Sequence, residues 1–220
     1  MIGVIKIRIV VKFGGTSIEN PKRINRAVKS IINKAKEGNE ILVVLSAMGK
    51  TTDRLIGLLT DATKSSFEKK EYTHFISFGE RMSVQLLTAS LRANGMKAKY
   101  FDPSQEDFPI ITSTDYLEAD ILSVQSKEKC QTHIEPLLKK GYIPVVCGFL
   151  GRSIENGDIT CLGRGGSDIT AFALGHFIDA DEVIIVTDAQ GVSSADPRMI
   201  KKVETLPKIR QGAKFNGKIK

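Results

Sequence analysis

IRIVVKFGGTS, residues 7–17, decides the class of fold. Residues 7–13 are a compact run rich in Ile and Val, the composition of a strand buried on both faces. Lys12 emerges from that run, and Gly14 and Gly15 follow at once. Two glycines let a backbone turn sharply and bring N–H groups close to a ligand, and the lysine adds a positive charge. Together these are what a phosphate chain requires. A tight turn with a surface lysine would also account for the glycines, but a lysine leaving a buried strand is unusual.

Outward from this stretch the same grammar repeats. ILVVL at 41–45, IPVVC at 143–147 and VIIVT at 183–187 are further short Val/Ile runs. Longer helical patterns lie between them. From Pro21 to Glu37, Ile24, Val28, Ile31, Ile32 and Ala35 fall at helical spacing, with Asn20 as N-cap, Pro21 at the first helical position and Gly38 as the stop. Residues 74–93, 123–140 and 167–177 read as three more helices. This βαβα alternation predicts a layered α/β domain, in which ligands sit beyond the carboxyl ends of the strands. Pro103 to Asp120, rich in Asp, Ser and Thr, is expected to form a hairpin or a loop-rich insert over the site.

Four other constellations sit where such a fold puts its chemistry. Met48-Gly49-Lys50-Thr51-Thr52 ends like a Walker phosphate loop, but the first glycine of that motif would fall at Val44, inside a strand. What remains is a hydroxyl cluster of Ser46, Thr51 and Thr52, with Asp53 as an expected N-cap, able to bind a polar substrate or merely to cap a helix. In Phe78-Gly79-Glu80-Arg81-Met82-Ser83, Glu80 lies within an apolar helical region, and buried carboxylates need partners. It is suited to a substrate ammonium group or to a local pair with Arg81.

The third, Gly148-Phe149-Leu150-Gly151 followed by a hairpin turning at Asn156-Gly157, leads into Thr160-Cys161-Leu162-Gly163-Arg164-Gly165-Gly166-Ser167-Asp168. This run joins flexible backbone to a helix start near Ser167 and Asp168, and to a guanidinium able to grip a carboxylate bidentately. The fourth is Thr187-Asp188 at a strand end, with Gly191 and Asp196-Pro197-Arg198 beyond it. It could hold a ribose and phosphates or form an ordinary turn.

Composition narrows the class further. The 220 residues are 41% hydrophobic and 26% charged, enough for one domain with a sizeable core or at most two small ones. A disordered tail, a coiled coil and a collagen-like fibre are excluded. No apolar run approaches the ~18 residues of a membrane-spanning helix. The N-terminus, interrupted by Lys6, Arg8 and Lys12, reads as a first strand rather than a signal peptide.

Cys130, Cys147 and Cys161 are odd in number and widely spaced, which argues against a disulfide framework and for a reducing cytoplasm. No histidine stands near them in a zinc pattern. The net charge of +7 favours an anionic partner or reflects solvated lysine, part of it in the last twenty residues. Only 6% of residues are aromatic and none is Trp, so no base-stacking stripe points to nucleic acid.

KFGGTS, LSAMGKTTD, FGERMS, GFLG, TCLGRGGSDITA and TDAQGVSSADPR, in this order over residues 12–198, resemble the catalytic domain of the aspartokinases, in the amino-acid kinase family. The resemblance implies a three-layer αβα sandwich with a mainly parallel open sheet, here a single catalytic domain over 1–220. It also implies transfer of the γ-phosphate of ATP, carried with Mg²⁺, to the side-chain carboxylate of L-aspartate. The product is 4-phospho-L-aspartate, the first step toward lysine, threonine and methionine.

By the same resemblance, Lys12 neutralises the transferring phosphoryl group, and Phe13, Gly14 and Gly15 lie along the phosphates. Ser46, Thr52, Glu80 and Ser167 contact substrate, with Glu80 suited to the amino group. Arg164 binds the α-carboxylate, and Asp168 orients substrate and Lys12. Thr187, Asp188, Ser193 and Arg198 take the nucleotide contacts, and no protein metal site is implied.

The sequence departs from the family pattern at Gln190, usually aspartate, and at Ser193, usually tyrosine, a change that removes an aromatic surface near the nucleotide. Gly212-Ala213-Lys214 is similar to a family segment near the nucleotide, though the text around it diverges. The regulatory ACT modules usual in the family are absent from the sequence, so feedback through them is not expected in this polypeptide alone. Analogy within the family suggests a homo-oligomer. The competing expectations are a sister phosphotransferase acting on another acceptor, and a non-catalytic chain that binds nucleotide or pairs with a full-length kinase.

Overall fold

Residues 6–187 are described by the structure, a computed structural model, and those up to Val186 belong to one unit. The strands are β1 Arg8–Phe13, β2 Glu40–Leu45, β3 Ala98–Phe101, β4 Ile111–Thr112, β5 Ile143–Cys147, β6 Leu150–Ser153, β7 Ile159–Cys161 and β8 Glu182–Val186. The helices are α1 Pro21–Lys36, α2 Thr51–Thr63, α3 Lys69–Ala93, α4 Ser123–Lys129, α5 Glu135–Lys139 and α6 Gly166–Phe177. Five strands form one sheet in the order β3-β5-β2-β1-β8, every neighbouring pair parallel. All four Val/Ile runs of the sequence are in it.

The apolar runs dictate this arrangement. Five consecutive residues in each of β1, β2 and β5 are buried, which requires cover on both faces of the sheet. One group of helices has α1 against β2 and α3, with α3 also against β3 and β5. The other has α6 against β1, β2 and β8 and beside α4. The result is the layered α/β architecture that the alternation predicts.

α1 forms as its sequence directs. Asn20 accepts a hydrogen bond from the Arg23 N–H at 3.0 Å, Pro21 opens the helix, and Ile24, Ala27, Val28 and Ile31 make the buried stripe. Gly38, at φ +91°, ends it.

Other boundaries differ from expectation. α3 starts at Lys69 rather than residue 74, because Glu68 and Glu71 form a reciprocal capping box. The expected helix over 123–140 is interrupted by a π-helical turn at Cys130–Ile134. There the Glu135 N–H reaches back to the Cys130 carbonyl, just before Pro136, which has no N–H to offer Thr132. Asp53 is not an N-cap. α2 begins at Thr51 with Lys50 in the capping position, so Asp53 lies in the first turn, where a carboxylate meets the positive helix end.

The segment 103–120 is loop-rich, but it does not cover the cleft described below. Its one strand, β4, pairs parallel with β6 in a second sheet, β4-β6-β7, whose β6–β7 hairpin turns at Asn156-Gly157 as the sequence indicates. The Ala119 N–H donates to the Cys161 carbonyl at 2.8 Å, and Glu118 bridges to Leu162. The insert therefore braces β7 and the loop that follows it. All three cysteines are free and buried. Among the described residues no helix is long and apolar enough to cross a membrane.

Candidate active site

The carboxyl ends of β1, β2 and β5, the first turn of α6 and the middle of α3 enclose a cleft of about 390 Å³. Lys12, Gly15, Ser46, Thr52, Glu80, Arg164, Ser167 and Asp168 all line it. Residues scattered over 157 positions are thus brought to one place by parallel strands that all end on the same side.

Lys12 is carried in on β1, in register with Val44 and Ile185, and is only 9% exposed. Its Nζ lies 2.7 Å from Asp168 Oδ1, a contact of charges without hydrogen-bond alignment. The lysine stem is packed by the sheet, so its ammonium group has one direction to point. Beside it Gly15 allows two loops to touch. A Cβ there would lie 2.5 Å from the Ala47 carbonyl oxygen, and the Gly15 carbonyl accepts from the Gly49 N–H at 2.9 Å. Only a residue without a side chain permits that approach.

The second wall is the turn Gly163–Gly166, which leads into α6. Gly163 and Gly165 have φ of +72° and +75°, left-handed values that glycine adopts freely. The turn presents Arg164 to the cleft and ends on the N-terminus of α6, whose dipole favours an anion; the Gly166, Asp168 and Ile169 N–H groups are taken by the carbonyls of Gly163 and Gly165. Ser167 packs against Gly148, where a Cβ would lie 2.8 Å from the serine Cβ.

Glu80 forms the third wall. Gly79 brings α3 against the loop after β2, since a Cβ at Gly79 would lie 2.8 Å from that of Ala47. Glu80 Oε1 then accepts the Ala47 N–H at 3.1 Å, while Oε2 is buried without a hydrogen-bond partner among the described residues. The local pair with Arg81 does not form. Arg81 turns away to Asp102 at 2.7 Å. Burial, only partly offset by hydrogen bonds from backbone N–H groups, pushes the Glu80 carboxyl up to about 7. A buried carboxylate with an open oxygen and no cation of its own is an electrostatic socket for a donor-bearing cation.

Other residues of the sequence reading lie outside the lining of this cleft. Phe13 does not line the cleft. It is 5% exposed and belongs to the hydrophobic core, since the strand continues through it. Gly14 is also outside the cleft lining, and its N–H donates to the Val186 carbonyl at 3.0 Å, so the sheet and not a ligand uses it. Thr187 is the exposed residue after β8. Asp188, Gln190, Ser193, Arg198 and Lys214 lie outside the described residues. Three lining residues, Ala47, Gly49 and Phe149, have no role in the sequence reading. Gly49 and Phe149 stood in quoted segments without an assigned role; in the structure Gly49 takes a φ of +53°, a value that suits glycine.

The described residues hold no group of three or more His, Cys, Asp or Glu fit for a metal ion.

A parallel α/β sheet whose strand-end loops offer a buried lysine, glycine turns and a helix N-terminus is of the phosphate-handling class. The chain belongs to the amino acid kinase family, whose sequence pattern matches residues 8–212. It is 39% identical over 201 residues to the aspartokinase of Geobacillus stearothermophilus, covering 91% of this chain and 47% of that one. To the aspartokinase of Pseudomonas aeruginosa it is 38% identical, with the same coverages. The chain thus spans about half the length of these curated relatives. It is also similar to the crystal structure of E. coli aspartokinase III in complex with aspartate and ADP (R-state). That match has a TM-score of 0.77 and 26% identity, covering 90% of this chain and 53% of that one.

Proposed function

We propose that residues 1–220 constitute the catalytic domain of an aspartate kinase, which moves the γ-phosphoryl group of ATP onto the side-chain carboxylate of L-aspartate. The P–O bond to the β-phosphate breaks, a P–O bond to the aspartate carboxylate forms, and ADP leaves with the bridging oxygen. The acceptor carboxylate is already ionised at neutral pH, so no general base is required. What the chain supplies is position and charge.

In this reading Lys12 stabilises the charge of the phosphoryl group in transit, and Asp168 fixes the ammonium group's direction at 2.7 Å. Gly15 lets the loops close around the phosphates. Arg164 grips the α-carboxylate bidentately, Glu80 receives the α-ammonium, and Ser46, Thr52 and Ser167 supply hydroxyls around them. Thr187, Asp188, Ser193 and Arg198 contact the nucleotide. Mg²⁺, carried with the nucleotide as substrate, would supply further charge neutralisation at the phosphates.

The observation that carries the reading is the meeting of the Lys12–Asp168 pair, Arg164 and the open Glu80 oxygen in one cleft. Those three fittings match the phosphoryl group of a nucleotide and the carboxylate and ammonium of the amino acid that receives it. The relatives named aspartokinase, and the similar chain crystallised with aspartate and ADP, support the same substrates.

The test is trapping of the acyl phosphate by hydroxylamine. Hydroxamate is expected only with Mg²⁺, ATP and aspartate together, and not with other acids of similar size. A stronger signal with another carboxylate, carbamate or phosphate acceptor would move the chain to a sister enzyme. Nucleotide binding by calorimetry with no turnover on any acceptor would make it a binding subunit.

A further inference from the structure

Phe149 follows β5 and has a backbone φ of +68°, a region that bulky L-residues rarely adopt. Gly148-Phe149 is the whole connection between β5 and β6, so the chain must bend sharply there. Glycine would make that bend without strain. Strain of this kind persists where the surrounding contacts over-determine it, and it collects at functional sites.

Those contacts all lead to one place. The Phe149 N–H donates to Thr170 Oγ1 at 3.2 Å, and that hydroxyl donates to the Gly166 carbonyl at 2.9 Å. The Phe149 carbonyl accepts the Leu162 N–H at 2.8 Å. Its ring and Cα press on Gly166 so closely that a Cβ there would lie 2.9 Å from Cδ2 and 3.1 Å from Cα. Phe149 therefore spans the base of the 162–166 turn, holding its entry at Leu162 and its exit at Gly166 and Thr170. The turn itself, with left-handed glycines at 163 and 165, has little stiffness of its own.

We propose that Phe149 is a positioning residue, whose left-handed backbone and ring form the seat that holds Arg164 and Ser167 in the cleft and Asp168 against Lys12. The proposal rests on the kinase reading for its kinetic test but not for its structural one. The seat has a direct consequence for the acceptor. If it is lost, Arg164 and the α6 N-terminus wander together, and both acceptor binding and phosphoryl transfer suffer.

Phe149→Gly is the informative variant, because it relieves the backbone while removing the side chain that bears on Gly166. In the full chain it is expected to fold, to lower kcat by about a hundredfold, and to raise the KM for aspartate by about tenfold, as a misplaced positioning group does. Phe149→Tyr, which keeps the ring, is expected to recover most of both. A merely structural role would lower the active fraction and leave KM where it was.

Hydrogen exchange supplies a readout independent of activity: the Asp168 and Ile169 amides, both bonded to the Gly165 carbonyl, should exchange faster in Phe149→Gly while those of β1 and β2 do not. Wild-type kcat and KM together with unchanged exchange in α6 would overturn the proposal. If Phe149→Gly does not fold, Phe149→Leu makes the same comparison with volume retained, and wild-type kinetics there would overturn it equally. A wild-type chain that makes no hydroxamate would sink the kinase reading, and the exchange result would still judge the seat.

Discussion

The two ends of the β1–β2 region carry similar charges and use them in opposite ways. At the amino end, Lys6 and Arg8 both reach Glu40, at 2.9 and 2.8 Å. The Arg8 N–H donates to Asp181 at 2.6 Å, and its guanidinium donates to the Ile178 carbonyl. These groups satisfy one another. At the carboxyl end, Lys12 meets Asp168, but Glu80 Oε2 is buried without a hydrogen-bond partner, and Arg164 has no ion-pair partner among the described residues. Charge that is matched internally stabilises a fold; buried polar groups left unmatched need an explanation, and here a ligand of complementary charge supplies it.

The two ends also respond to pH with opposite sign. Burial raises the Glu40 carboxyl, but hydrogen bonds from Lys6 and Arg8 outweigh it and hold its pKa below the ordinary value. That contribution to stability is present at neutral pH and lost as pH falls through the lowered value. Glu80 is the reverse. Its pKa rises from 4.5 in the unfolded reference to about 7, so the folded state holds the proton more tightly. Its contribution is fully present below 4.5 and lost as pH rises through about 7.

Lys12→Ala breaks the contrast most sharply. It is expected to lower hydroxamate formation about a thousandfold, as loss of a preorganised charge donor does. Its urea midpoint should move little, since Asp168 is half-exposed and can be solvated. Activity close to wild type would mean that the carboxyl end is as self-contained as the amino end. Glu80→Gln sharpens the comparison through pH. Between pH 5 and 8 the wild type should lose up to roughly 3 kcal/mol of unfolding free energy from this group, and the variant should not. Denaturation curves at the two pH values measure it, and equal slopes in both proteins would refute the assigned burial cost.

Arg8→Ala has the smallest expected effect, about 1 kcal/mol of stability, because it removes hydrogen bonds at a partly exposed site. The rate of hydroxamate formation should stay within about twofold of wild type, since charges at the far end of the sheet have no part in positioning the reacting groups.

The strands were readable because burial on both faces leaves an unmixed Val/Ile signature, and all four runs lie in one sheet. Lys12, Arg164 and Asp168 were readable because a charge beside glycines at a strand end is hard to explain by packing. Glu80 was ambiguous locally, and the choice fell to Asp102, twenty-one residues after Arg81, which draws the guanidinium away. Gly14 and Gly15 share one sequence setting, and only the packing separates them: β8 takes the Gly14 N–H and Gly15 lines the cleft. Phe149 stood in the quoted GFLG segment but its role was not legible, since a left-handed φ at a phenylalanine is imposed by contacts with Leu162, Gly166 and Thr170 and not by local preference.

The sequence by itself determined the layered α/β class, the helix caps around α1, and which loops carry unusual charge. These depend on neighbours within a few residues, where periodicity and glycine content act directly. Only the tertiary structure decided which of those charges are left unmatched, that the Lys12 ammonium and the Asp168 carboxylate meet at 2.7 Å, and that an aromatic side chain holds the turn beside them. Partnership between groups more than 150 positions apart is set by how parallel strands and their covering helices pack, and no local rule encodes it.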